Sequence, residues 1–295
     1  MGLRRRLRTG FTLARDSVTV LRDHPNLLWF PLLAGASGVA FFALAFGAGL
    51  GLLPLAALAD APQLSGVVGL AVGYLGAAFL TVLFTAGLMF ATKDAVEGRE
   101  PSVRAGLRAA WQHKRTLFAW AVVSTLVGLL VRALESSDNI AGVLAGLLLS
   151  TSWAVVTYFV VPVAVFEDED IRGVFGRSVE VVRDTWGESL GAEFGLGFVH
   201  AALFLAALLV AAVAFAVSGS VRAAAVVGVP LFVVAFVVAA TLNGVAKVAL
   251  YEYATTGAPP NYFENVDFDV GGDGDDGDGP RRPRSLLQRR IRGGI

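Results

Sequence analysis

Long stretches of this sequence contain no charged residue, and they constrain the fold more than any other feature. Residues 65–91 and 140–166 are two of them. A helix of about 20 apolar residues crosses the hydrocarbon core of a bilayer, and soluble chains seldom contain even one such stretch. Charged residues make up only 16% of the chain, against about 25% in an ordinary soluble domain. The sequence therefore predicts an all-α integral membrane protein.

The hydropathy pattern predicts six transmembrane helices in one membrane domain, residues 1–255. Their approximate bounds are 28–53, 65–91, 116–134, 140–166, 189–217 and 225–252. Short polar turns join them into three hairpins, whereas the connections between hairpins are longer and basic. Residues 256–295 form a separate tail, which is acidic at 271–279 and basic beyond. Because this composition cannot bury much apolar surface, we expect the tail to be disordered.

Basic residues are concentrated on one side of the predicted membrane domain. Of the 24 Lys and Arg, 22 lie in the N-terminal segment, in the two connections between hairpins, or after residue 246. Only Arg132 and Arg222 lie on the opposite side. Cytoplasmic loops carry the excess of Lys and Arg in membrane proteins. We therefore predict a cell (cytoplasmic) membrane protein with both termini in the cytoplasm and three hairpins in the same orientation.

The phrase SVTVLRDH at residues 17–24 recurs as SVEVVRDT at residues 178–185, and residues 108–116 form a weaker third copy. Each copy lies in a basic segment with apolar residues at helical spacing, the pattern of an amphipathic helix. An apolar stripe edged by arginine is typical of a helix lying among lipid headgroups. The alternative is a helix packed on a soluble domain. The sequence favours one repeat written three times, an interfacial amphipathic helix before a transmembrane hairpin.

Arginines of these helices and of the tail are predicted to contact lipid headgroups, because an anionic leaflet attracts each by about 1 kcal/mol. They are Arg4, Arg8, Arg15, Arg22, Arg177, Arg183, Arg289 and Arg290. The predicted partners are membrane lipids, with a protein partner or a second copy of the chain also possible, and no nucleic acid. For the tail, binding to acidic proteins or nucleic acid is the rival interpretation.

Polar residues inside the last hairpin are the intramembrane candidates for function. Glu193 and His200 lie in the fifth span, and Asn243 and Lys247 lie in the sixth. With the turn near Ser220, Glu193 should face Lys247 and His200 should face Asn243. Polar groups inside spans are costly and often functional. Two interpretations stay open, a structural clamp between two helices and a polar cavity that handles a proton, an ion or a headgroup.

Small and hydroxylated residues in the spans predict helix packing. Glycines recur every fourth residue in three places, which allows close approach of a neighbouring backbone. They are Gly187, Gly191 and Gly195, Gly69 and Gly73, and Gly47 and Gly51. Ser124 and the run Ser150, Thr151 and Ser152 are predicted to form a belt of hydrogen bonds between the two helices of the second hairpin.

Catalytic and metal-binding patterns are missing from the sequence. It contains no cysteine, no phosphate-binding glycine loop, and no zinc-protease or nucleophile-elbow motif. Its three histidines, His24, His113 and His200, fall on different predicted elements. We therefore expect no enzyme activity, no metal site and no cofactor.

Three segments carry a family resemblance. They are LRTGFTLARDSVTVLRDHPNLLWFPLL, RSVEVVRDTW and KVALYEYATTGAPPNYF. The chain resembles, over about residues 1–263, an uncharacterised family of six-span membrane proteins common in haloarchaea. It is more distantly similar to the membrane domain attached to some bacterial glycerophosphodiester phosphodiesterases, whose catalytic barrel is absent here.

The resemblance implies a multi-pass fold and supplies no catalytic residues. Taken with the surface helices, it favours a non-enzymatic scaffold that engages lipids or a partner protein. The alternative is a small transporter or channel that uses the polar residues of the last hairpin.

Overall fold

The computed structural model describes residues 2–51, 62–137, 139–167, 171–184 and 186–266. The described residues are 88% helical, and no strand occurs among them. The helices in chain order are α1 (Gly2–Asp23), a 3-10 turn (Pro25–Leu28), α2 (Trp29–Gly51), α3 (Pro62–Val96), α4 (Val103–Gln112), α5 (Lys114–Glu135), α6 (Ile140–Val156), α7 (Val160–Phe166), α8 (Ile171–Asp184), α9 (Trp186–Ser218) and α10 (Val221–Thr256). Residues 267–295, which include Arg289 and Arg290, lie outside the described part.

Six helices are long and apolar enough to cross a membrane. They cover Pro25–Gly51, Ser65–Val96, Lys114–Glu135, Ile140–Phe166, Gly195–Ser218 and Val221–Thr256. The predicted all-α fold with six spans is therefore confirmed. The spans form a first hairpin (α2 and α3), a second (α5 to α7) and a last (α9 and α10). We call α1, α4 and α8, which precede these hairpins in the chain, the surface helices.

The described residues group into two compact bodies. One combines Met1–Leu28, Ala91–Ser102 and the described part of Glu180–Ile295, so it holds α1 and the last hairpin. The other combines Trp29–Phe90 and Val103–Val179 and holds the first two hairpins with α4 and most of α8.

A proline breaks the fourth span between α6 and α7. Pro162 has no N–H to donate to the carbonyl of Tyr158, and its ring crowds that carbonyl, so a regular helix cannot pass through this point. Residues Thr157–Phe159 accordingly leave the α-helical pattern. The break frees backbone groups inside the span, and those groups need other partners.

The turn of the last hairpin is built from three small residues. Gly219 adopts a left-handed φ of 64°, and the Ser220 hydroxyl accepts a hydrogen bond from the Ala223 N–H at 3.4 Å, which caps the start of α10. The predicted turn near Ser220 is confirmed. At the other end of α10, Gly257 has a φ of 74° and its N–H bonds the Tyr253 carbonyl at 2.8 Å, an ordinary glycine stop.

Helix α1 packs on the last hairpin, which is the hairpin farthest from it in the chain. Its backbone crosses α9 where Gly10 and Gly195 are in such close contact that a side chain on Gly195 would overlap the Gly10 backbone. The rings of Phe11 and Phe198 stack beside the crossing, with centroids 5.5 Å apart. Gly195 therefore acts as a packing glycine, as predicted; the surroundings of Gly187 and Gly191 lie outside the description.

Helix α8 packs on the second hairpin, which precedes it. The Phe175 ring lies 5.6 Å from the Trp120 ring and 5.7 Å from the Trp153 ring, and these two indoles stack on each other across the hairpin. Ser178 closes the break in the fourth span. Its hydroxyl donates to the Val156 carbonyl at 2.7 Å and accepts from the Phe159 N–H at 3.2 Å.

Helix α4 packs on the first hairpin, which also precedes it. A methyl group on Gly106 would lie 2.5 Å from the Gly87 carbonyl oxygen and 3.0 Å from the Phe30 ring. The chain order of surface helix and hairpin is as predicted, but the packing differs from the simplest form of the repeat. Helices α4 and α8 pack on the hairpin before them, and α1 packs on the last.

Two packing predictions need correction. In the first hairpin a methyl group on Gly69 would lie 2.8 Å from the Cα of Gly49, whereas such a group on Gly47 or Gly51 would have no neighbour within 4 Å among the described residues. The close approach therefore uses Gly49, between the two predicted glycines; Gly73 packs on Phe42 as a packing glycine should.

The predicted hydroxyl belt of the second hairpin is not observed. Ser150 and Thr151 both donate to the Leu147 carbonyl of their own helix, at 3.0 Å and 2.8 Å, and Ser124 donates to the Ala121 carbonyl at 3.1 Å. Hydroxyls in apolar helices commonly bond back to a carbonyl one turn earlier, which satisfies them without a partner helix.

Candidate functional site

The repeated phrase has the same pattern of burial in both clear copies. Ser17 and Ser178 are fully buried, and the next positions, Val18 and Val179, are each 44% exposed. Two positions further on, the apolar residues are again buried in both copies, and the following arginines are exposed. The phrase therefore encodes one buried edge that anchors the helix and one outward face that carries a valine and an arginine.

The outward faces of the surface helices hold the exposed cations. Arg15 and Arg22 of α1 and Arg183 of α8 are exposed, as a headgroup contact requires. Exposed aliphatic or aromatic side chains accompany them, including Phe11 on α1. The side chains of Arg4 and Arg8 lie outside the described residues.

Arg177 differs from the other predicted headgroup arginines. Its Nε donates to both carboxylate oxygens of Glu167, at 2.9 Å and 2.8 Å, and the two side chains keep only 17% and 22% of their exposure. This pair ties α8 to the end of the fourth span. The structure thus gives Arg177 an internal partner, and its predicted lipid contact stays a prediction.

The middle copy places a cation over an indole. Lys114 Nζ lies 5.0 Å from the centre of the Trp111 ring, a cation–π contact. Trp111 remains 51% exposed, and Lys114 is exposed as well. Tryptophan concentrates where a membrane meets water. The junction of α4 and α5 therefore also presents an apolar group and a cation together.

The polar residues of the last hairpin, which we call the polar stripe, lie on two helices that face each other. A methyl group on Gly228 would lie 2.8 Å from the Cβ of Ala211, so residues at nearly equal distances from the Ser220 turn are opposite each other there. The Phe204 and Phe232 rings also face each other, with centroids 6.1 Å apart. His200 Nε2 is buried and has no hydrogen-bond partner in the described part of the chain, so the predicted bond from this atom to Asn243 is not formed.

The predicted pair of Glu193 and Lys247 stays a prediction. Lys247 is half-buried in α10, and the side chain of Glu193 lies outside the described residues. Asn243 is also half-buried, among fully buried neighbours on α10. Within residues 241–251 of α10, Asn243 and Lys247 are the two positions that keep partial exposure, so the stripe lies on the less buried side of this segment.

A charged cluster at the ends of α3 and α10 was missed from the sequence. Lys93 Nζ bonds Glu252 Oε1 at 2.6 Å and lies 3.9 Å from Glu97. Arg99 binds Asp94 at 2.6 Å and also contacts Glu97. The spacing of Lys93 and Glu97 on one helix face was the available signal, whereas the bond to Glu252 joins residues distant in sequence.

The segment after α10 folds back on the end of α1, which the sequence also did not predict. Tyr262 has a left-handed φ of 75°, and its hydroxyl lies 3.4 Å from His24 Nε2. The neighbouring Phe263 is fully buried. Burial, assisted by the Asp23 and Glu100 carboxylates, raises the pKa of Tyr262. Residues 257–266 therefore belong to the folded body, although the predicted tail begins at 256.

Asp16 is a partly buried acid with one carboxylate oxygen out of contact with water. Its Oδ2 is buried and has no hydrogen bond to any described residue. Removal from water raises the pKa of this carboxyl, and the neighbouring Arg15 opposes the shift only in part. Among the residues described, no group of three or more His, Cys, Asp or Glu is placed to hold a metal ion.

The fold defines the class of the protein, because six long apolar helices make it a multi-pass membrane protein. The chain belongs to a family of unknown function, DUF6159, whose sequence profile matches residues 64–260. Comparison with curated proteins and with solved structures returned no match. The predicted similarity to the membrane domain of some phosphodiesterases, and the haloarchaeal connection, gain no support from these comparisons.

Proposed function

We propose that the protein is a non-enzymatic membrane scaffold whose surface helices lie in the headgroup layer of the cytoplasmic leaflet, with both chain ends in the cytoplasm. One observation carries this proposal. In two copies of the same phrase the buried edge packs against a hairpin, while a valine and an arginine together lie on the outward face. A helix in water gains nothing from an exposed valine at the same position of two copies. A helix at a headgroup layer can place the valine against acyl chains and the arginine against phosphates.

The charge distribution supports the same placement. The exposed cations of α1, α4 and α8 belong to the basic connections, and positive loops mark the cytoplasmic side. An anionic leaflet attracts such segments. Lipids are therefore the primary partners that we propose, and a protein partner or a second copy of the chain would dock beside them.

A small transporter or channel is the second candidate, and one observation favours it. His200 Nε2 is a buried polar atom inside a span without a partner among the described residues. A histidine in that state can exchange protons or bind a solute if water reaches it. The scaffold needs no such access.

The proposal is tested by measuring membrane depth at single cysteines, which is clean because the chain has no native cysteine. Spin labels at Val18→Cys and Val179→Cys should show similar, intermediate accessibility to oxygen and to an aqueous nickel chelate. A label at Val39→Cys, which is 71% exposed within α2, supplies the deep reference. Full water accessibility at both valines would contradict the scaffold proposal.

Cysteine labelling also distinguishes the scaffold from the transporter. A His200→Cys variant should resist a water-soluble maleimide if the polar stripe is only structural. Rapid labelling of this cysteine in sealed vesicles would favour a water-filled path. A cysteine at Thr256 should react only from the cytoplasmic side.

A further inference from the structure

One position of the repeat is basic in all three copies. Aligned on the repeated phrase, Arg22 of the first copy corresponds to Arg183 of the third and to Lys114 of the middle copy. All three side chains are exposed. Other basic positions do not recur in this way, since Arg177 corresponds to Asp16 in the first copy. The recurring cation thus has a role that the rest of the charge pattern does not share.

Each of these cations has an exposed apolar neighbour: one helical turn earlier in the first and third copies, and across the break between α4 and α5 in the middle copy, where the equivalent residue Ala110 is buried. Val18 precedes Arg22 and Val179 precedes Arg183 by four residues, which places each pair on one helix face. In the middle copy the neighbour is Trp111, whose ring lies beneath Lys114 Nζ. An apolar group with a cation one turn away matches the boundary between acyl chain and phosphate of a phospholipid.

A purely local role for the cations fails at the middle copy. Arg22 and Arg183 lie in the last turns of α1 and α8, where a cation interacts favourably with the helix dipole. Lys114 is instead the first residue of α5, where the dipole disfavours a positive charge. The helix dipole therefore does not account for a basic residue at all three positions.

We propose that Arg22, Lys114 and Arg183 each bind the phosphate of one anionic phospholipid, which gives three similar headgroup sites per chain. The proposal rests on the scaffold function, because the sites must lie in the headgroup layer. The cation binds the phosphate diester, and the valine or tryptophan contacts the first acyl carbons. A free phosphate ion would use only the cation, and so would bind without help from the apolar neighbour.

The test counts the lipids that stay bound. The full chain in nanodiscs containing phosphatidylglycerol and phosphatidylcholine is released for native mass spectrometry, and bound phosphatidylglycerol is counted. Arg22→Gln, Lys114→Gln and Arg183→Gln should each weaken binding at one site about fivefold, the equivalent of about 1 kcal/mol per cation. The triple variant should retain phosphatidylglycerol no better than phosphatidylcholine.

Arg222→Gln is the matched control, because Arg222 is also an exposed arginine but lies beside the Ser220 turn at the other end of the last hairpin. It should leave lipid retention unchanged. Val18→Ser should weaken retention of phosphatidylglycerol without changing the charge. Retention by the triple variant equal to the wild type, or displacement of the lipid by inorganic phosphate alone, would overturn the proposal. Unchanged depths at Val18 and Val179 would then show that the scaffold function survives without these sites.

Discussion

The first and third surface helices carry the same phrase with the same burial, yet different contacts attach them to their hairpins. Helix α1 relies on the bare backbone crossing of Gly10 and Gly195, and its Ser17 hydroxyl only bonds the Leu13 carbonyl of its own helix at 2.8 Å. Helix α8 uses the Ser178 bridge to the broken fourth span and the pair of Arg177 with Glu167. The phrase sets the outward face, while residues around it set the attachment.

The largest expected effect comes from the glycine crossing. Gly195→Ala places a methyl group on the Gly10 backbone, so we expect a loss of about 1–3 kcal/mol, typical of overpacking. Gly197→Ala is the matched control on the same helix, because nothing lies within 4 Å of its added methyl group. Thermal unfolding in detergent should rank Gly195→Ala far below Gly197→Ala. Equal melting temperatures of the two variants would contradict the close contact between Gly10 and Gly195.

The next largest effect is a difference in stability between substitutions of the two serines of the phrase, Ser17 and Ser178. Ser178→Ala leaves the Val156 carbonyl and the Phe159 N–H without their partner, which should cost about 1–3 kcal/mol for buried groups. Ser17→Ala removes only a bond within its own helix, whose carbonyl is already satisfied, so its cost should be well below that. Hydrogen exchange near residue 159 should rise in Ser178→Ala alone. Similar destabilisation in both variants would show that Ser178 does not support the break.

Substitutions of two arginines of α8, Arg177 and Arg183, should affect different properties, one thermal stability and the other lipid binding. Arg177→Gln removes a half-buried ion pair and should destabilise the protein by about 1 kcal/mol. Arg183→Gln should leave thermal stability unchanged and weaken retention of phosphatidylglycerol. Measuring both quantities on both variants gives a crossed result that neither a general charge effect nor a general folding defect would produce.

The smallest effect concerns Asp16 and depends on pH. Because burial raises its pKa above the ordinary value of 3.8, the folded state favours the protonated acid. Its stabilising contribution is present below about pH 4 and is lost as the pH rises through the raised value. Asp16→Asn should therefore be more stable than the wild type at pH 7, by at most about 1 kcal/mol after allowance for solvent. The difference should vanish in acid; a less stable variant at pH 7 would contradict this.

The spans were predictable because length and hydropathy alone decide them, and a proline or glycine inside a span does not hide that signal. The outward face of α1 was partly predictable. Phe11 and Val18 are exposed although both are apolar, because Gly10, Leu13 and Ser17 form the edge against the hairpin. Hydropathy ranks small and hydroxylated residues as poor anchors, although close backbone packing favours them.

Contacts between distant segments could not be predicted from one sequence. Counting residues from the Ser220 turn located the turn correctly, yet it could not show which polar side chains bond each other, and His200 Nε2 has no hydrogen-bond partner among the described residues. Nothing local indicates that Lys93 bonds Glu252 or that Ser178 reaches Val156. Such partners depend on how helices pack in three dimensions, which periodicity along one helix does not contain.

The central claim is that α1 completes the last hairpin, and cross-linking tests it directly. A Phe11→Cys, Phe198→Cys double variant, treated in membranes with a short bis-maleimide, should give an intramolecular cross-link at the mass of the monomer. Phe11→Cys with Val217→Cys, at the far end of α9, should give none. Failure of the first pair to cross-link, or cross-linking only between two chains, would contradict the account.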